Sequence, residues 1–227
     1  MHLHHRPRGN RAMDLYFSYL STYSQKVLLG LYEKNVPFTT HMVDLTDPED
    51  REAYRKLYPF GKVPLLVRDD GRMIPESTII LEYIDSTFEQ GPVLIPRDAE
   101  LGRRTRFMDR MCDLYLNDPV VSLIFESWKP ESERDQTLIS NSSERIGTMY
   151  RFMDDQLAKG GYLAGDTFTM ADCAVMPVLF YANSFAPFGA FDNIYRYWEE
   201  VSQRPSFMRV KKEAEPYVNA VMGERGQ

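Results

Sequence analysis

Ser21 follows a short aromatic run, Leu15-Tyr16-Phe17, and opens a stretch that places Val27, Leu28, Leu31 and Tyr32 on one helix face. A serine in that position is an ordinary helix N-cap, its hydroxyl oxygen accepting a backbone N–H. The hydroxyl could instead donate to an anion lying over the helix N-terminus, such as a thiolate. A free thiol titrates near 8.5, and helix N-termini lower that value. Lowering it by about two units takes about 2.7 kcal/mol. A hydrogen bond to a charged group gives roughly 1.5–3 kcal/mol, and the helix dipole adds roughly 0.3–1. One hydroxyl on such a helix is therefore sufficient, without metal or base. Both readings of Ser21 are open at this stage.

Two more short segments stand where a ligand could meet backbone and charge. Pro59-Phe60-Gly61-Lys62-Val63-Pro64 reads as a loop that enters a strand, with the proline at the strand's first position. Lys62 is a solvated loop lysine on that reading. Pro75-Glu76-Ser77-Thr78 precedes a second periodic stretch, Ile80, Tyr83, Ile84 and Phe88. There Ser77 reads as a helix cap and Glu76 as a surface carboxylate.

The elements that must position these segments follow from pattern. Strands are expected at residues 15–17 and 38–43, helices from Ser21 to Asn35 and over 48–58. Residues 63–67 and 72–74 flank Asp69-Asp70-Gly71, a hairpin signal. A helix then starts at Ser77. The first crossover implies parallel strands and the hairpin an antiparallel edge. That is a thioredoxin-like α/β domain over residues 13–90, with 91–97 as linker. Residues 98–227 carry helical patterns at 98–128, 133–158, 170–185, 194–202 and 206–221, and no strand signal. Pro119 should kink the first of these. Thr169 and Asp172 have the spacing of a capping box, a structural helix start.

Composition narrows the classes. The net charge of -6 argues against a broad nucleic-acid surface. No apolar run reaches the roughly 18 residues of a membrane span. Two distant cysteines, Cys112 and Cys173, imply no disulfide framework and fit a reducing cytoplasm. Residues 1–12 hold three histidines and three arginines and little to bury, so a disordered extension is expected, with Met13 as a natural start. His2, His4 and His5 could otherwise bind a metal.

In order and spacing, Ser21-Thr22-Tyr23-Ser24-Gln25-Lys26-Val27, Lys62-Val63-Pro64, Asp70-Gly71 and Glu76-Ser77 resemble the N-terminal domain of the soluble glutathione transferase superfamily. The resemblance runs along nearly the whole chain after residue 12. The Ser21 segment looks like the serine-type, theta- or zeta-like and bacterial-type active-site segment. The resemblance implies that Ser21 stabilises glutathione thiolate, with Tyr16 a competing donor of the tyrosine type and Thr22 and Tyr23 near enough to assist. It implies a cis bond at Pro64, turning the Val63 N–H and C=O toward the cysteinyl backbone of glutathione. Lys62 would meet the glycyl carboxylate. Glu76 would accept from the γ-glutamyl ammonium, while Ser77 and the helix N-terminus receive its carboxylate. Asp109 lies where some relatives offer an acid across a dimer interface. Tyr58 departs from the family, which often has asparagine before the Pro59 position.

The acceptor pocket implied by the resemblance lies between the domains. Its candidates are Leu20, Phe107, Met108, Met111 and Tyr115. A Met and aromatic stripe at helical spacing is more often core than pocket. Arg103, Arg104, Arg106 and Arg110 crowd the same helix as a solvated face. The expectation is a cytoplasmic, homodimeric glutathione S-transferase acting on a hydrophobic electrophile, with no metal. Two alternatives are another glutathione-dependent reaction (isomerisation, dehalogenation, ether cleavage) and a non-catalytic protein-binding relative of the stringent-starvation type.

Overall fold

The computed structural model describes residues 13–224, and of 221–224 the backbone only. The expected extension at 1–12, with its three histidines, lies outside the described residues. Four strands, β1 (Met13–Phe17), β2 (Thr39–Met42), β3 (Leu65–Arg68) and β4 (Met73–Pro75), form one sheet in the order β2-β1-β3-β4. β1 and β2 are parallel; β3 runs antiparallel to β1, and β4 antiparallel to β3. The parallel pair is joined by α1 (Thr22–Glu33), and α2 (Pro48–Leu57) leads from β2 to the hairpin. α3 (Ser77–Thr87) closes this layer. The mixed sheet expected from the crossover and the Asp-Gly turn is therefore the one observed.

Strand alternation separates two packing faces. Met13, Leu15 and Phe17 of β1 join the main core with Val27, Leu28 and Leu31 of α1. Tyr16, on the opposite face, packs with a smaller cluster of Val43, Tyr54, Val63 and Leu65. α1 and α3 approach closely because residue 30 is glycine: a Cβ there would run into Leu81.

After the connection through Leu94, which is fully buried, the chain is helical. α4 (Ala99–Met111) passes through a π-helical turn, Cys112–Asn117, into α5 (Asp118–Ser127). The distortion expected from Pro119 thus sits ahead of it. Pro119 itself stands at the start of α5, directly after the π-helical turn, and has no N–H to donate back into it. A short 3-10 turn, Glu131–Glu133, precedes α6 (Gln136–Leu157). Then come α7 (Met170–Phe185), α8 (Asp192–Val201) and α9 (Pro205–Glu224). The Thr169–Asp172 capping box forms as expected, and Asp172 also accepts from Leu163 N and the Tyr197 hydroxyl. α1 packs on α7, α3 and α9, so one core spans both halves.

Candidate functional site

Ser21 is the N-cap of α1, with φ -85° and ψ 117°. Its Oγ accepts from Ser24 N at 3.2 Å. A hydroxyl has one proton to give as well as lone pairs to accept with. The cap bond uses a lone pair and leaves the O–H for another partner. The two readings of Ser21 are therefore compatible. The first turn of α1 carries no acidic side chain, so its positive end is not locally neutralised.

The loop ahead of Ser21 is held from several sides. Ser21 N donates to Ser18 O at 3.1 Å, and Ser18 N donates to Ser24 Oγ at 3.3 Å. Gln25 Nε2 donates to Tyr19 O at 2.6 Å and to the Tyr181 hydroxyl at 3.0 Å. The ring of Tyr19 stacks on Tyr217 of α9, centroids 5.0 Å apart. Tyr23 is half-buried, its hydroxyl 3.4 Å from Asp118 Oδ1; burial chiefly pushes that phenol up. Tyr16 is elsewhere: its ring stacks on His41 at 4.7 Å and faces Tyr54 at 6.0 Å, across the sheet from α1.

The Val63-Pro64 bond is cis, as expected. Lys62 is exposed, and its carbonyl accepts from the Tyr54 hydroxyl at 2.8 Å. Glu76, rather than Ser77, stands at the cap position of α3. It has φ 70° and ψ 123° and makes no side-chain cap bond. A non-glycine residue in that region costs on the order of 1–3 kcal/mol, and such residues cluster at ligand sites. Ser77 is the first helical residue and is buried. The α3 N-terminus thus offers backbone N–H groups with no acid in the first turn. Tyr58, the departure from the family pattern, lies near this point: burial and then the charge of Glu76 raise its phenol pKa.

Asp109 is not at this surface. It is 0% exposed and pairs with Lys26 Nζ at 2.7 Å, while its other oxygen accepts from Thr78 Oγ1 at 2.6 Å. Lys26, itself 1% exposed, also binds Asp113 Oδ2 at 2.9 Å and Thr78 Oγ1 at 3.0 Å. This buried cluster ties α1, α3 and the π-helical turn together. One cation faces two carboxylates there. Burial pushes the Asp113 carboxyl up to about 6, with Lys26 the chief opposing pull.

The cleft beside Ser21 has a volume of about 90 Å³. Leu20 and Thr22 bracket Ser21 on one wall; Val121, Ile124, Phe125 and Trp128 come from α5 and its end, Tyr181 and Phe185 from α7, and Val218 from α9. Of the five expected pocket residues only Leu20 lines it. Met108 is 1% exposed in the core, Met111 is half-buried against it, and Phe107 and Tyr115 are each 50% exposed on the outer face. Phe107, Met108 and Met111 lie on α4 and Tyr115 in the π-helical turn, whereas the cleft takes its helical wall from α5, which begins after that turn. The arginines beside that stripe are mostly partnered: Arg103 with Glu100, Arg104 with Ala164 O and Gln156, Arg106 with Glu82.

Comparison with known proteins places these features in a family. Residues 15–92 match the profile "Glutathione S-transferase, N-terminal domain", and residues 116–205 match "Glutathione S-transferase, C-terminal domain". The chain is 30% identical over 199 residues to glutathione S-transferase F10 of Arabidopsis thaliana, covering 82% of this chain and 91% of that one. It is 27% identical over 214 residues to the stringent starvation protein A homolog of Coxiella burnetii, covering 93% and 97%. Among solved structures, a glutathione S-transferase from Methylobacillus flagellatus with glutathione bound aligns with TM-score 0.76 at 29% identity, covering 87% of this chain and 98% of that one.

Proposed function

This chain belongs to the glutathione S-transferase family, and we propose that Ser21 holds the sulfur of bound glutathione as a thiolate for attack on an apolar electrophile. The observation that carries this reading is the cap geometry: Ser21 Oγ accepts from Ser24 N, and its O–H is left to donate at an acid-free helix start. The hydrogen bond and the dipole together reach the roughly 2.7 kcal/mol that two units of thiol pKa require. Sulfur then attacks an electrophile lodged between Leu20, Thr22 and α5.

The rest of the peptide binds along the same edge of the domain. Glu76 accepts from the γ-glutamyl ammonium, and Ser77 with the bare α3 N-terminus receives the neighbouring carboxylate. The Val63 backbone pairs with the cysteinyl unit as an added strand would. Exposed Lys62 meets the glycyl carboxylate. The Lys26–Asp109–Thr78 cluster fixes both helix starts at once, so Asp109 acts from behind the site rather than on the ligand. The serine-type, theta- or zeta-like reading rests on the Ser21–Val27 segment alone, and the relatives include plant F-series enzymes.

We further infer a homodimer. Its support is a groove of about 1080 Å³ lined by Met73, Ile79 and Tyr83 of the first domain and Arg106 of α4, together with a Phe60 ring that is 76% exposed. A cytoplasmic setting fits two buried free thiols, and no described helix is long and apolar enough to cross a membrane.

Likeness to the stringent starvation protein A homolog favours one second reading, a protein-binding relative. Capture on immobilised glutathione and turnover of glutathione with a hydrophobic electrophile decide between them. Retention with turnover is expected; passage through the column without turnover would favour the second reading.

A further inference from the structure

Tyr181 lines the same cleft as Leu20 and Thr22, and its hydroxyl oxygen lies 3.0 Å from Gln25 Nε2. That amide's orientation is settled by a second contact. The Gln25 side-chain atom facing Tyr19 is 2.6 Å from a backbone carbonyl oxygen. A carbonyl only accepts, so the atom facing it is the amide nitrogen. The same nitrogen carries a second hydrogen and cannot accept. It must donate to Tyr181, whose oxygen is then the acceptor. The phenolic proton is left to seek another partner, and among the described residues it has none.

We propose that Tyr181 is a second catalytic hydrogen-bond donor, binding the carbonyl oxygen of an α,β-unsaturated ketone or aldehyde in the electrophile cleft. This rests on the transferase reading above and names its substrate class. Six of the lining residues (Leu20, Val121, Ile124, Phe125, Phe185 and Val218) offer hydrocarbon alone. An oxygen entering such a cleft loses its water and needs a donor in return. Burial raises the Tyr181 phenol pKa, with the Gln25 bond opposing, so the donor keeps its proton at neutral pH.

The step balances with what is present. The thiol proton has left to water. Thiolate sulfur forms a bond to the β-carbon, and the C=C π pair shifts to give an enolate with charge on oxygen. Tyr181 donates a hydrogen bond to that oxygen and keeps its proton. The α-carbon then takes a proton from water, and nothing leaves the substrate. An electrophile without such an oxygen, reacting by loss of halide, gains nothing from this group.

The test compares wild type with Tyr181→Phe on two probes with glutathione, 3-penten-2-one and benzyl chloride. For the enone, kcat/KM is expected to fall roughly 10- to 100-fold, the scale of one donor to a developing oxyanion. For benzyl chloride it should stay within about 2-fold. An equal fall on both probes, an unchanged enone rate, or wild-type turnover of benzyl chloride alone would each overturn the proposal. Wild type that turns over neither probe would overturn the transferase reading, and this inference with it.

Discussion

On the proposed function, Ser21 and Glu76 are residues whose local geometry serves the ligand as well as the fold. Ser21 caps α1 through one lone pair and keeps its proton free. Glu76 sits at φ 70°, where glycine would be at ease, and makes no cap bond in return. Opposite effects on stability and on binding are expected at Glu76. Glu76→Gly should raise stability by about 1 kcal/mol, by relief of backbone strain less the entropy a glycine adds to the unfolded chain. It should weaken glutathione roughly 10- to 100-fold, through loss of a charge-assisted bond to the ammonium. Urea unfolding and calorimetry read the two separately; unchanged affinity would remove Glu76 from the site. Ser21, Val63-Pro64 and Glu76-Ser77 were legible because strand ends, prolines and helix starts leave local marks. Gln25 and Tyr181 lie 156 positions apart, and no periodicity announces their contact.

At the scale of elements, sequence pattern located the strands, the hairpin and most helices to within a few residues, since alternation and helical spacing respond directly to burial. The expected stripe Phe107, Met108, Met111 and Tyr115 ends where the π-helical turn ends, and the cleft beside Ser21 is walled by α5 beyond it, a break that Pro119 marked only as a distortion nearby. The Lys26 cluster was hidden too, because a lysine between buried carboxylates reads as a surface residue. It yields a test. Asp113 has its pKa raised from 3.8 to about 6 in the fold, in contact with Lys26 and near Asp109 and Arg110. A carboxyl raised on folding binds its proton more tightly in the native state. Its contribution to stability is present below about pH 4 and is lost as pH rises through 6. The stability of wild type relative to Asp113→Asn should therefore fall by on the order of 2 kcal/mol between pH 4 and 7. Denaturant melts at those two values check this, and a pH-independent difference would mean that Asp113 titrates normally.

The whole molecule brings the α/β domain and the helical half into one core, and the cleft beside Ser21 forms where they meet. Leu20 and Thr22 come from one half, Val121, Tyr181 and Val218 from the other. The assembly proposed above adds a second copy across the groove at Ile79, a residue that is 50% exposed. Light scattering of the wild type should give twice 26.5 kDa, and Ile79→Glu, which puts a charge into an apolar contact, should return it to 26.5 kDa. A wild-type mass of 26.5 kDa at micromolar concentration would contradict the dimer. The central claim, that Ser21 holds a thiolate, is tested most directly by ultraviolet absorbance of glutathione bound to the intact protein, followed against pH. Ser21→Ala should raise the apparent thiol pKa by at least about one unit. It should still lie below that of free glutathione, because the helix dipole remains. An unchanged titration in Ser21→Ala, with a shifted one in Tyr16→Phe, would contradict the account and move the role to the tyrosine.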